Sequence, residues 1–330
     1  MLKLLKSKLA DGQKTYFLLD EIQEISGWEK AINELYDNKE YNVDIFLTGS
    51  NSRMLSSEIS TYLTGRYVHF EIFPLSFSEY LDFKGDNKDT HKSFLEYIQI
   101  GGFPAIHAHN MQKDAAYSAV SDIYNTIIFT DIVKRNNIRN IDQLDRIVKF
   151  VFENIGNVFS AKSISDYLKS QNRKIDIETV YNYLSKLESA YIVYRCSRYD
   201  LQGKEVLKTL EKFYLADMAL KYSLTGYNET SISGALENIV YLELRRRGYK
   251  VYVGKYKDLE IDFVGEKQGD KIYVQVAKEI NLVETKKREY ENLLLIKDNY
   301  PKIVLTVNEF SNGNYEGIES KYIADWLLYI

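Results

Sequence analysis

Four absences bound what this chain can be. Its 330 residues hold one cysteine, Cys196, which excludes a disulfide framework and a Cys-rich zinc site and suits a reducing, cytoplasmic setting. There are three prolines, so rigid linkers are scarce and domain joints are hard to see. No run approaches the ~18 apolar residues of a membrane-spanning helix. Residues 1–6 have neither the apolar core nor the small-residue cleavage site of a signal peptide. The fourth absence is of any Gly-Lys-Ser or Gly-Lys-Thr run.

What is present describes a folded protein. Hydrophobic residues make up 45% and charged residues 27%, which fits neither a disordered chain nor a membrane chain. The length predicts two or three domains, with enough core to fold without staples. The net charge of −4 gives no global argument for a nucleic-acid partner. Residues 136–222 are mildly basic, 14 Lys and Arg against 11 Asp and Glu, between two acidic flanks. That makes the middle the place to look for phosphate contact.

Along the chain, short apolar runs at 15–19 and 43–47 read as strands buried on both faces. A helix is predicted between them at 27–36, and a third strand at 67–72. Strand, helix, strand with polar residues at the strand ends argues for a parallel α/β sheet. Residues 77–135 read as helical, interrupted at Gly101-Gly102-Phe103-Pro104. Helices at 143–154, 163–170 and 177–189 then precede strands at 192–199 and 209–215, the order of a winged helix. A helix at 233–247, strands at 250–253, 260–265, 271–276 and 302–306, a charged helix near 283–295 and a terminal helix at 321–329 complete the reading.

The first strand ends in Asp20-Glu21, a Walker B pattern. An Asp at a strand tip can hold Mg²⁺, and a Glu beside it can orient a water toward a γ-phosphate. An acidic pair at the surface end of a strand reads equally simply. The next strand ends in Thr48-Gly49-Ser50-Asn51, a polar tip where Ser50 and Asn51 could sense phosphate. Arg53 and Arg66 follow as candidate charge stabilisers.

A set of motifs runs through the chain in order. They are Tyr16-Phe-Leu-Leu-Asp20-Glu21-Ile-Gln23-Glu24, Leu47-Thr-Gly-Ser-Asn51, Leu63-Thr-Gly65-Arg66-Tyr67, Phe73-Pro-Leu-Ser-Phe77-Ser-Glu79, Gly101-Gly102-Phe103-Pro104, Lys212-Phe-Tyr-Leu-Ala-Asp217, Leu236-Glu-Asn238, Glu260-Ile-Asp262 and Gln275-Val-Ala277. In that order the chain closely resembles the archaeal-type AAA+ ATPases of prokaryotes, which carry an uncharacterised C-terminal domain. The resemblance implies ATP and Mg²⁺ as cofactors, with Asp20, Glu21 and Arg66 catalytic and Ser50, Asn51 and Arg53 sensing nucleotide. It also implies a P-loop ahead of the Walker B strand, and the sequence has none. The expectation is a truncated parallel-sheet AAA+-like core over 1–75 that does not bind ATP by itself. A helical lid at 76–138, a winged helix at 139–222 and a restriction-endonuclease-like α/β domain at 223–330 follow. Uncovered strand edges in the core are expected to leave it either partly disordered or paired in an oligomer.

In the winged helix, Asp176 is the expected N-cap of the third helix, with Val180, Tyr183, Leu184 and Leu187 as its buried stripe. Thr179, Asn182 and Lys186 on that helix, Arg173 and Lys174 before it, and Arg198 and Lys204 on the wing are candidate contacts to double-stranded DNA. A winged helix used for protein contact or domain packing is the alternative. In the last domain, Glu237, Glu260, Asp262 and Gln275 follow a nuclease-like layout that could hold a metal, but Ala277 stands where the water-activating lysine is expected. An inactive nuclease-like scaffold and a cryptic nuclease both remain open. The partners implied are duplex DNA, another protein or a second copy; nothing implies a membrane.

Overall fold

The fold is given by a computed structural model, which describes residues 1–9, 13–50, 66–85, 89–109, 111–207, 209–278, 290–310 and 312–329. It is a mixed α/β structure. At the N-terminus, β1 (Thr15–Leu19) and β2 (Val43–Leu47) form a two-stranded parallel sheet with Phe17 opposite Ile45. Helices α1 (Leu2–Lys6) and α2 (Trp28–Asp37) cover one face, where Leu5, Phe17 and Leu35 pack in one cluster and Ile22, Trp28 and Ile32 in another. The other face is open: Leu18 is 80% and Phe46 54% exposed. The expectation of strands buried on both faces is therefore met on one face alone. Residues 66–72 are not a third strand. They lack ladder partners among the described residues, and Val68, Phe70 and Ile72 are each more than three-quarters exposed.

Helices dominate from residue 77. Ser76 and Glu79 close a reciprocal capping box at the start of α3 (Phe77–Lys84), and Gly85 in the left-handed region ends it. Helix α4 (Thr90–Ile100) stops at Gly101-Gly102, and Pro104 opens α5 (Pro104–Ala108). The glycines are needed for close approach. A Cβ on Gly101 would lie 1.9 Å from Asp217 Oδ1, and one on Gly102 would lie 2.3 Å from the Leu75 carbonyl. Gly102 N–H donates to Asp217 Oδ2 at 2.6 Å, so this motif fastens two distant parts of the chain. His107 is half-buried against Tyr80, and its ring nitrogen Nε2 lies 2.8 Å from the Gly101 carbonyl oxygen. Helix α6 (Lys113–Ile127) then runs on as a wider π-helical segment, Ile128–Lys134.

Three helices follow, α7 (Ile141–Glu153), α8 (Ala161–Ser170) and α9 (Ile177–Ser189). Val180, Tyr183, Leu184 and Leu187 form the buried stripe of α9, as the spacing predicts. Asp176 occupies the N-cap position, but its carboxylate takes the Thr179 hydroxyl at 3.0 Å instead of a backbone N–H. Strand β3 (Val193–Cys196) pairs antiparallel with β6 (Lys212–Leu215), and Phe159 bridges Glu211.

The predicted strand at 192–199 splits after Cys196. The continuation, β4 (Arg198–Asp200) and β5 (Glu205–Val206), leaves the small sheet and joins another. That eight-stranded mixed sheet has the order β11-β12-β10-β9-β8-β7-β4-β5. Its other strands are β7 (Lys250–Tyr256), β8 (Leu259–Lys267), β9 (Asp270–Ala277), β10 (Lys302–Thr306), β11 (Gly313–Tyr315) and β12 (Ile318–Tyr322). Between β6 and β7 lie α10 (Met218–Thr225) and α11 (Ile232–Arg246); α12 (Ile323–Leu328) ends the fold. Of the wing expected at 192–215, β3 and β6 pair apart from the large sheet, and the hairpin of β4 and β5 between them forms an edge of the C-terminal sheet. The expected boundary at 222/223 is crossed by strand pairing, β4 running parallel to β7. A single apolar core runs from Phe77 to Leu327, and a smaller one under the opposite sheet face holds Tyr252, Ile261, Val264 and Tyr273. Successive strand residues, such as Phe263 and Val264, serve opposite faces, the two-residue period of a pleated strand.

Candidate functional site

The two parallel strands end at the same level, and their polar tips interlock. Thr48 Oγ1 donates to Asp20 Oδ1 and accepts from Glu21 N–H at 3.2 Å. Gln23 Nε2 donates to Glu21 Oε2, and Ser50 Oγ lies 3.2 Å from that same oxygen. Glu21 has φ of 47°, a left-handed backbone uncommon outside glycine, at the turn that turns its carboxylate toward Ser50. The register of β1 on β2, with Leu19 opposite Leu47, brings residues 20 and 48 together.

This tip meets the π-helical segment. Ser50 Oγ is 3.5 Å from Asp131 Oδ1, and Arg135 pairs with Glu24 at 2.9 Å and with Asp131 at 3.3 Å. Burial pushes the Asp131 carboxyl up, opposed by Arg135 and reinforced by Glu21. A carboxylate beside a hydroxyl is the oxygen donor set that a hard divalent cation takes. The residues at this tip fit the cation that ATP would bring. No glycine-rich Gly-Lys-Ser/Thr run exists in the sequence to grip its phosphates.

Other candidates in this region are placed differently. Arg66 pairs with Asp37 at 2.5 Å and lies over the Tyr36 ring, at the far end of α2 from the acidic tip. Asn51 and Arg53 lie outside the described residues.

On the three-helix module, Arg173, Lys174 and Asn182 are exposed, and Thr179 is partly so. Lys186 donates to Asn136 Oδ1 at 2.9 Å. The acidic Asp176 and Glu178 share the exposed start of α9. Arg198 and Lys204, expected on the wing, belong to the β4–β5 hairpin at the edge of the large sheet.

In the C-terminal domain Glu237 on α11, Glu260 and Asp262 on β8, and Gln275 on β9 converge. They converge on a residue outside the set of candidates, Lys212 of β6. Its ammonium lies 2.8 Å from Glu260, 3.0 Å from Glu237 and 3.8 Å from Asp262. Tyr214 OH donates to Glu237 Oε2 at 3.0 Å, Val276 N–H to Asp262 Oδ2 at 2.8 Å, and Asp262 N–H to Gln275 Oε1 at 3.3 Å. Burial pulls the Lys212 ammonium down, but Glu237, Asp262 and Glu260 outweigh it and its pKa stands above the usual lysine range. Burial pushes the Glu237 carboxyl up against the pull of Lys212. A lysine opening the apolar run Lys212-Phe-Tyr-Leu was the available signal, since a buried lysine needs partners. Asp131 and Arg135 gave none, lying far from residues 20 and 48 along the chain. Cys196 is fully buried and its Sγ lies 3.6 Å from the Val251 carbonyl.

The interlocked strand tips belong to a class of protein that comparison now specifies. Residues 1–81 match the family described as AAA domain, and residues 91–231 match a domain of unknown function. An uncharacterised protein of Haemophilus influenzae is 39% identical over 331 residues, taking in 99% of this chain and 81% of the relative. One from Methanocaldococcus jannaschii is 33% identical over 348 residues, taking in 98% and 74%. The Walker-type ATPase of Pyrococcus abyssi is similar over 64% of this chain and 63% of its own, at 16% identity and a TM-score of 0.43. The chain belongs to the family of the Haemophilus and Methanocaldococcus proteins, and the strand tips of its acidic site lie within the part that matches an AAA domain. Among the described residues no helix is long and apolar enough to cross a membrane.

Proposed function

We propose that this protein works as an AAA-type ATPase-family member whose N-terminal unit supplies the cation- and water-handling half of a nucleotide site. The observation that carries this reading is the interlock of Asp20, Glu21, Thr48 and Ser50 at two parallel strand ends. In a complete site the bound Mg²⁺ would neutralise phosphate charge; Asp20 would hold it with Thr48, and Glu21, kept in place by Gln23 and Ser50, would hold a water. This chain lacks a phosphate cradle, so by itself it holds ATP weakly. Calorimetry with MgATP is expected to show no binding in the micromolar range. Micromolar binding that Asp20→Asn weakens would show that the phosphates are gripped by groups other than a P-loop.

The same reading extends to duplex DNA, which the three-helix module would meet through α9. Its exposed Arg173, Lys174 and Asn182, together with the order of three helices, a bridge and an antiparallel pair, support a winged-helix reading. Arg198 and Lys204 are available at the adjoining hairpin. Fluorescence anisotropy on a duplex should give an affinity that falls with salt. Replacing both Arg173 and Lys174 by Ala should lower the log–log salt slope by about 2. An absence of affinity at low salt would remove DNA as the partner and leave protein contact as the role of this module.

A further inference from the structure

The nuclease-like layout of the C-terminal domain implies a divalent cation at Glu237, Glu260, Asp262 and Gln275, and the residues present do not fit one. Among the described residues, no group of three or more His, Cys, Asp or Glu side chains is arranged to hold a metal ion. The space between the carboxylates is filled. Lys212 enters from β6 with its side chain 3% exposed, and its ammonium stands within 3.0 Å of Glu237 and Glu260 and 3.8 Å of Asp262. Other acceptors are committed too, Glu237 to Tyr214 and Asp262 to the Val276 backbone.

From this disagreement we infer that Lys212 is the resident cation of the site. Its ammonium takes the place a divalent ion would take, which closes the acidic site to metal. The same contact pins β6, of the three-helix module, to α11 and β8 of the C-terminal domain. An ammonium has three N–H donors, and the three carboxylates occupy its surroundings. Two of them, Glu237 and Glu260, are at hydrogen-bond distance, and the cluster as a whole is negative and repels a phosphodiester. Withdrawal of the positive charge would leave three converging carboxylates, and Glu260, with its side chain 38% exposed, gives solvent a way in. A divalent cation is the ligand such a vacated cage selects.

The test is manganese binding by the full chain, followed by calorimetry and by thermal unfolding with and without millimolar MnCl₂. The wild-type protein should show no Mn²⁺-dependent rise in Tm. Lys212→Met, which keeps length and removes charge, should melt lower without metal and recover with Mn²⁺, binding it at least tenfold more tightly than wild type. Adding Glu260→Gln should reverse that gain. If Lys212→Met does not fold alone, the double variant Lys212→Met with Glu237→Gln removes one buried negative charge with the positive one, and Mn²⁺ should rescue it. Wild-type binding in the micromolar range that Glu260→Gln abolishes would overturn the inference. So would a folded Lys212→Met that ignores Mn²⁺, or failure of both variants to fold even with Mn²⁺ present.

Discussion

Residues 13–50 and residues 77–329 bury their apolar side chains in different ways. The first region has one covered sheet face and two small clusters, with Leu18 and Phe46 left in solvent. The second encloses one core that passes through the lid helices, the three-helix module and the large sheet. The described contacts between the two include polar ones, Arg135 with Glu24 and Ser50 with Asp131. Ion pairs at partly exposed positions stabilise by about 1 kcal/mol or less, whereas a buried large side chain is worth roughly 1.5–3 kcal/mol. Burial therefore sets the position of most elements in the second region, while polar contacts take part in docking the first. The acidic tip lies in the region held by these polar contacts.

The protein carries two tryptophans, Trp28 in the first region and Trp326 in the second, both buried. Single-tryptophan versions made with Phe let fluorescence follow each region through unfolding. The largest effect is expected for Gly101→Ala. The new Cβ meets Asp217 at 1.9 Å on a backbone with φ of 81°, a cost on the order of 4 kcal/mol. The Trp326 transition should fall sharply and the Trp28 transition stay in place. Joint collapse of both signals would mean that the regions are coupled far more strongly than their polar contacts suggest.

Acidity gives the next largest effect, again confined to the second region. Asp217 is fully buried, and burial lifts its carboxyl from 3.8 to about 6 against the pull of Gly102 and Ala219 N–H. The folded protein thus holds this proton more tightly than the unfolded chain. The stabilisation is complete below pH about 3.8 and is lost as pH rises through 6, a change of about 3 kcal/mol. Denaturant titrations from pH 4 to 7 should show Asp217→Asn gaining up to about 3 kcal/mol on wild type as pH rises, because the amide does not titrate. A constant difference would place the titrating group elsewhere. The smallest effect is expected for Arg135→Ala. Its loss should lower the Trp28 transition by about 0.5–1 kcal/mol and leave Trp326 unmoved.

Local chemistry made much of the fold legible. Val180, Tyr183, Leu184 and Leu187 marked the inner side of α9. Asp20-Glu21 and Thr48–Ser50 pointed to one site because strand ends in a parallel sheet bring such residues together. Pairing beyond neighbours was illegible. Nothing in Arg198–Asp200 announces that it will leave β3 and take β7 as its partner, because a strand of three residues has too few side chains to declare a face. The pattern at 67–72 promised a strand by alternation, yet alternation records which side chains could be buried, and the described neighbours supply no ladder there. Lys212 escaped for a related reason: its partners lie on three elements that only the tertiary fold assembles.

The placement of β4 also has a meaning in time. During synthesis, residues up to the end of β6 appear before β7 exists, so β4 and β5 emerge as a hairpin with one open edge. Helix α11 follows, and then β7 arrives to run parallel along that edge. The C-terminal sheet thus has its first strand laid down in advance by the preceding module. A release of the chain between residues 216 and 250 would leave that strand as a bare template, open to any passing extended segment.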